Sequence, residues 1–262
     1  MNSDTPIITL TTDYGIQDYY VALLKASLLR QLPKAQIIDI SHHIPPHDIV
    51  KAAYILKNSY QSFPKNSIHL VCVNNRPHEE RSLLLTKKRG QYFIVPDNGL
   101  LSLLFEEVEE DVYAIPKITE QDKPLRNLYA TATRYISEGG ALKGIGQRIE
   151  EIEQRITLKP VITASQIRGS VIHIDHYENV VVNISKSLFD EVGHGRSFEL
   201  FFKRHDPISK ISQHYNEVGV GEVLCLFNET QQLEIAISMG KAASLLGLHI
   251  DDTIQIDFKN VA

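Results

Sequence analysis

The first half of the chain alternates between two hydrophobic periods, and that alternation is the tightest constraint on its fold. Ile7–Leu10 is an apolar run of strand length. Tyr19–Leu32 then places Val21, Leu24, Leu28 and Leu32 at helical spacing before Pro33 stops it. Gln36–Ile40 reads as a second strand. After Pro45-Pro46, His47–Tyr60 reads as a second helix, with Ile49, Ala52, Ala53 and Leu56 on one face. Ser67–Val73 is a third strand. Ser82–Thr86 and Gln91–Val95 are spaced to pair across Lys87-Lys88-Arg89-Gly90, and Pro96-Asp97-Asn98-Gly99 signals a turn before a short helix at Leu100–Phe105. Asp111–Ile115 and Leu128–Glu138 add a strand and a helix, the latter closed by Gly139-Gly140. Strands alternating with helices in this way predict a mostly parallel sheet covered by helices.

Beyond about residue 150 the pattern changes. Glu150–Pro160 is charged, then punctuated by proline, and reads as a linker. Six β-type segments follow, at Gly169–Ile174, Val180–Ile184, Ser197–Phe202, Val223–Phe227, Leu233–Ile237 and Thr253–Phe258, with one short helix at Ala242–Leu246. Short strands at this spacing predict a small barrel or sandwich. The expectation is an α/β chain in two domains: an N-terminal α/β domain over 1–155 with a mostly parallel sheet, and a smaller C-terminal all-β barrel over 166–262.

A formal net charge of −5 argues against sequence-independent nucleic-acid binding, which needs a basic surface. Cys72 and Cys225 both lie inside apolar runs and outside any metal-type spacing, so they read as buried free thiols in a reducing compartment. The N-terminal Met1–Pro6 stretch lacks the basic and apolar parts of a signal peptide, and no run reaches the ~20 apolar residues of a membrane span. A cytoplasmic protein with no membrane partner is the expectation.

The polar clusters collect where strands end, which is where open α/β sheets bind ligands. Thr11-Thr12-Asp13-Tyr14-Gly15-Ile16-Gln17-Asp18 follows the first strand with two carboxylates and one glycine. That turn repels phosphate and suits a diol or a cation. The plainer alternative has Asp18 capping the helix and Asp13 making a local turn. Ser41-His42-His43-Ile44-Pro45-Pro46-His47-Asp48 follows the second strand. It reads as a pocket rim rather than a metal site, because adjacent His42 and His43 face opposite ways in an extended segment. After the third strand, Arg81 suits a carboxylate or nucleophile, or a surface ion pair with Glu79 or Glu80. In the second half, Asp175-His176-Tyr177-Glu178-Asn179 is either a plain hairpin turn or a site. In the latter, Asp175 takes an ammonium group and Asn179 reads an adenine edge.

Five blocks in register resemble the S-adenosyl-L-methionine (SAM) hydroxide adenosyltransferase family, which also contains SAM-dependent fluorinases and chlorinases. Thr12–Asp18 resembles its TDxGxxD, and Asp39–Ile49 its DxxHxIPPxDI. Val95–Ser102 resembles GPDNGLLS, with Val95 in place of glycine. Ile174–Asn179 with Asn183-Ile184 is similar to IDxFGN…NI, and Leu233–Gly247 to LEIAV…GxAAxLLG. The resemblance implies a homotrimer with a SAM site between one subunit's N-terminal domain and a neighbour's C-terminal domain. By position, Asp13 grips the ribose hydroxyls beside Asp18, His47 lies in the pocket wall, Asp175 holds the methionine ammonium and Asn179 binds adenine.

The implied chemistry is displacement of methionine from C5′ of SAM by water or hydroxide, giving adenosine and methionine, with SAM as substrate and no cofactor or metal. Two departures bear on it. The resemblance puts Asn74 at the family's catalytic aspartate and Pro124 at its catalytic histidine, while Arg81 keeps the arginine position. The alternative implied is therefore a catalytically inactive homologue that binds SAM or adenosine.

Overall fold

Four apolar runs of the first half become neighbouring parallel strands. The computed structural model describes residues 5–75, 83–105, 111–116, 124–203 and 205–259. The chain divides into two units, Met1–Ile156 and Thr157–Ala262. Unit 1 holds β1 (Ile7–Thr12), β2 (Gln36–Ser41), β3 (Ile68–Cys72), β4 (Leu83–Lys88), β5 (Gln91–Pro96), β6 (Val112–Ile115) and β7 (Gln147–Ile149). Their order in the sheet is β2-β1-β3-β5-β4-β6-β7. β2, β1, β3 and β5 pair in parallel; β4 runs against β5, β6 against β4 and β7 against β6. The sheet is thus mixed and mostly parallel, with only β4 and β7 reversed.

Helices cover both faces of this sheet. α1 (Tyr20–Gln31) and α4 (Leu125–Ser137) pack on one face, through Leu24, Leu28, Leu128 and Ile136 against Leu70 and Cys72. α2 (Ile49–Lys57) and α3 (Leu100–Leu104) cover the other, where Ala52, Leu56, Leu100 and Leu104 meet Val71 and Val73. Successive side chains of β3 point to opposite cores, so a strand buried on both faces has to be apolar throughout. α4 ends as expected at Gly139-Gly140. Gly139 is left-handed (φ +86°), its N–H bonds the Ile136 carbonyl, and the Gly140 N–H bonds that of Tyr135.

Unit 2 is a curled antiparallel half-barrel. It comprises β8 (Val161–Thr163), β9 (Gln166–Ile174), β10 (Val180–Ser185), β11 (Phe198–Phe201), β12 (Val223–Phe227), β13 (Gln232–Ile237) and β14 (Thr253–Phe258). The order is β11-β14-β9-β10-β13-β12, with β8 on β9. One segment touches both edge strands, Ile208 bridging Leu200 and Ile211 bridging Cys225. Cys72 and Cys225 are free and buried.

Three elements escape the hydrophobic pattern: β7, β8 and the helix α5 (Lys186–Gly193). The strands have three residues each, too few to show alternation. α5 is two turns long and directly follows β10. Its start is set by Ser185, whose hydroxyl accepts the Leu188 N–H at 3.2 Å, and its end by left-handed His194 (φ +49°).

His69 on β3 is a polar residue inside the unit 1 core. It stacks on Phe93 (centroids 4.8 Å apart) and bonds Thr9 Oγ1 through Nδ1 at 2.7 Å. Burial pushes its imidazole down to about 4, and the Gln91 amide opposes this in part. The folded protein therefore keeps His69 neutral while the unfolded chain takes a proton below pH ~6.5. Its contribution is complete above pH 6.5 and drains away as pH falls towards 4. Between pH 7 and 5 denaturant titrations should show the wild type losing ~2 kcal/mol more than His69→Leu, although the variant starts less stable. Parallel pH profiles would contradict this assignment.

Candidate functional site

Four adjacent parallel strands deliver their C-terminal ends to one edge of the unit 1 sheet. Asp13 follows β1, the 42–48 segment follows β2, Asn74 follows β3, and Asp97-Asn98-Gly99 follows β5. The centre of this edge is the Asp13 carboxylate. Its Oδ2 accepts the backbone N–H of His47 and that of Asn74, each at 3.0 Å. Both donors are left-handed non-glycine residues, His47 at φ +68° and Asn74 at φ +51°. Such residues are uncommon and gather at sites where the surroundings over-determine the backbone. Among the described residues Asp13 Oδ1 makes no hydrogen bond.

The reading of Asp13 as a local turn is therefore corrected, because its partners lie 34 and 61 residues away. Asp18 does not cap α1 either. The N-cap is Tyr19, without a side-chain bond, and Asp18 is exposed. Asp48 does cap α2, accepting the Lys51 N–H at 2.9 Å.

The turn that carries Asp13 is held by His42. Thr12 Oγ1 accepts the Tyr14 N–H at 3.3 Å and lies 2.8 Å from His42 Nδ1, while the His42 carbonyl accepts the Gly15 N–H at 2.8 Å. The Tyr14 N–H and His42 Nδ1 thus meet at one hydroxyl, which ties the turn after β1 to the segment after β2. Nε2 lies 3.1 Å from Asp39 Oδ1, at ion-pair distance but off the line of a hydrogen bond. Burial raises the Asp39 carboxyl, but the Lys25 hydrogen bond and the His42 imidazole beside it outweigh this and hold the group below its ordinary value. His42 is buried and His43 exposed, as alternation requires. Among the described residues no three His, Cys, Asp or Glu side chains gather as metal ligands.

A second layer lies under the edge. Tyr129, on α4, donates from its hydroxyl to the Val71 carbonyl at 2.6 Å and to Asn75 Oδ1 at 3.2 Å; Asn75 Nδ2 reaches the Tyr14 hydroxyl at 3.4 Å. Burial pushes the Tyr14 and Tyr129 hydroxyls above their ordinary values and the Cys72 thiol up to about 12. All three groups are neutral and serve as scaffold. The turn after β5 adds Asn98, whose Nδ2 donates to the Val73 and Asn74 carbonyls at 3.1 and 3.4 Å. Gly99 has φ +91° and lies against the Arg155 side chain, so a Cβ there has no room. Pro124 is the N-cap of α4. Arg81 lies outside the described residues.

In unit 2, Asp175 and Asn179 close the turn between β9 and β10. Asp175 Oδ1 accepts the Asn179 N–H at 2.8 Å and Oδ2 its side-chain amide at 3.2 Å. Glu178 docks this turn on α6 (Ala242–Leu246). Its carboxylate takes Lys241 Nζ at 2.9 Å, the Ser244 N–H at 3.1 Å and the Ser244 hydroxyl. The Ser244 hydroxyl, then Lys241, hold Glu178 below its ordinary value. Glu234 on β13 is a buried carboxylate bonded by the Tyr215 hydroxyl at 2.7 Å and by Asn228 Nδ2 at 3.1 Å; burial raises it. Asn98, Glu178 and Glu234 were not singled out from sequence. Their marks there are a Pro-Asp-Asn-Gly turn, one carboxylate in a hairpin and one in the apolar run Leu233–Ile237, each inside a block that resembles the family without being read as a site residue.

Comparison with known proteins gives a consistent picture. Residues 8–146 match the SAM hydroxide adenosyltransferase N-terminal domain, and residues 169–255 match the C-terminal domain of the same family. An (R)-S-adenosyl-L-methionine hydrolase of Methanocaldococcus jannaschii is 30% identical, over 95% of this chain and 95% of its own. A protein of the same name from Salinispora tropica is 27% identical, over 96% of this chain and 98% of its own. The crystal structure of an uncharacterized conserved protein from Thermotoga maritima superposes with a TM-score of 0.86 at 28% identity, covering 96% and 99% of the two chains.

The clamp at Asp13 has a measurable worth. Asp13→Ala strands two backbone amides and should lower the unfolding free energy by roughly 2 kcal/mol, as expected for hydrogen bonds to a charged group. Asp18→Ala, on an exposed residue, should change it by less than about 0.5 kcal/mol. Equal effects of the two substitutions in denaturant titrations would contradict the clamp.

Proposed function

The chain belongs to the SAM hydroxide adenosyltransferase family, and on that footing we propose that it displaces methionine from C5′ of SAM with water or hydroxide, giving adenosine and methionine. The observation that carries this reading is the hydrolase name of the relatives that align with nearly the whole chain. Those names favour turnover over an inactive homologue that only binds SAM or adenosine.

The chemistry asks little of the protein. The sulfonium of SAM leaves as a neutral thioether, so the leaving group needs no protonation. Alignment of the nucleophile behind C5′ and removal of its water supply the catalysis. Asp13 Oδ1 takes the ribose hydroxyls, a role supported by the anchoring of Oδ2 on two amides. His47 forms wall beside it, and Asp18 borders the same turn. Asn74, at the end of β3, orients the attacking water with Arg81. An amide orients water through paired donor and acceptor but cannot take its proton as a carboxylate does. Asp175 receives the methionine ammonium and Asn179 the adenine. The protein acts as a homotrimer in which these two residues come from a neighbouring subunit, and SAM serves as substrate with no cofactor. Among the described residues no helix is long and apolar enough to cross a membrane.

Purified protein incubated with SAM should release adenosine and methionine in equal amounts by chromatography, and should consume the R epimer at sulfur first. Calorimetric binding of SAM with no adenosine above the buffer control would select the inactive binder. Asn74→Asp combined with Pro124→His should raise kcat by about tenfold or more if a carboxylate and an imidazole restore proton transfer from the water. No gain would remove Asn74 from the water site.

A further inference from the structure

We propose that Asn98 is a positioning residue for this reaction, clamping Asn74 from the side opposite Asp13. The inference rests on the hydrolase reading for its kinetic consequence and on geometry for its existence. In the sheet β3 lies between β1 and β5. Asn74 follows β3, Asp13 follows β1 and Asn98 follows β5, so the two neighbours of one strand hold the residue just past its tip. Asp13 takes the Asn74 N–H, and Asn98 Nδ2 donates to the carbonyls of Val73 and Asn74. The backbone of Asn74 is thereby bonded at its amide and at the carbonyl on each side. Its φ of +51° is left-handed, a conformation that asparagine tolerates better than most side-chain-bearing residues and that these bonds hold in place.

The orientation of the Asn98 amide is itself determined. Its Oδ1 accepts the Leu100 N–H at 3.2 Å, at the start of α3, which leaves only Nδ2 to face the carbonyls. Gly99, left-handed at φ +91°, makes the bend that allows one side chain to reach both α3 and the 73–74 backbone. With every backbone group of Asn74 engaged, its side chain is the part left to point at a ligand. Asn98 touches no ligand in this account and acts through Asn74.

Asn98→Asp isolates the clamp. It keeps the acceptor for Leu100 and turns the donor into an acceptor that repels two carbonyls. At pH 8 its kcat should fall about tenfold or more, with KM for SAM within about threefold, since misplacing one reacting group costs rate rather than binding. The ratio of variant to wild-type kcat should climb as pH drops towards 5, where a protonated carboxyl donates in place of the amide. A fold-stabilising residue of no positional consequence gives no such recovery. Hydrogen exchange of the Asn74 amide should quicken about tenfold in the variant at pH 8. Wild-type kcat in Asn98→Asp, or unchanged Asn74 exchange, overturns the clamp. Should that variant fail to fold, Asn98→Ala carries the same test, and wild-type kcat or unchanged exchange in it is equally fatal. A wild-type protein that forms no adenosine overturns the hydrolase reading instead, and the exchange measurement then decides the clamp alone.

Discussion

One carboxylate oxygen holds the candidate site together. Asp13 Oδ2 receives amides from the loops after β2 and β3 while its own residue ends β1, so three neighbouring strands share one anchor. A carboxylate is suited to this because it accepts at several lone-pair positions and its charge strengthens each bond. The strain of two left-handed residues, His47 and Asn74, is paid for at that point. Everything proposed about ligand binding at this edge depends on the backbone it fixes.

Several polar groups around Asp13 are neutral. Tyr14, Tyr129 and Cys72 are kept neutral by burial, and they spend their hydrogen-bonding capacity on Val71 and Asn75. Among the described residues, Lys25 and Asp39 form an ion pair behind the Asp13 turn. In unit 2 the arrangement is similar in kind. Asp175 and Asn179 are tied to each other, Glu178 fixes their turn to α6, and buried Glu234 orders Tyr215 and Asn228. A substrate with a fixed positive charge and a diol suits an enzyme that supplies rigid acceptors rather than mobile acids and bases.

Much of this was legible from residue order. Tyr19–Leu32 showed α1 because a two-sided core imposes helical period on its inner face. Thr253–Phe258, by its alternation, and Val223–Phe227, by its continuous apolar run, emerged as strands with the boundaries read from sequence. The location of the site was legible too, since polar clusters following apolar runs mark the ends of buried strands. What stayed hidden was the partner of each polar group. Asp18 has the residue type and place of a helix cap, yet Tyr19 takes that position. Asn98 belongs to a turn motif that needs no partner beyond its own loop, yet its amide reaches across to the next strand. α5 was missed because two helical turns after a strand carry too little periodicity to stand out.

The sequence by itself determined the two-part layout, the strand and helix order and the family to which the chain belongs, because burial imposes periods that survive in residue order and local motifs repeat in register. Only the tertiary structure decided that Asp13 clamps rather than turns, that His42 supports it, and that Asn98 faces Asn74. Those facts depend on strand order in the sheet. Hydrogen bonds between residues 24 to 61 positions apart are written in the geometry of β2-β1-β3-β5, where chain neighbours and spatial neighbours part company.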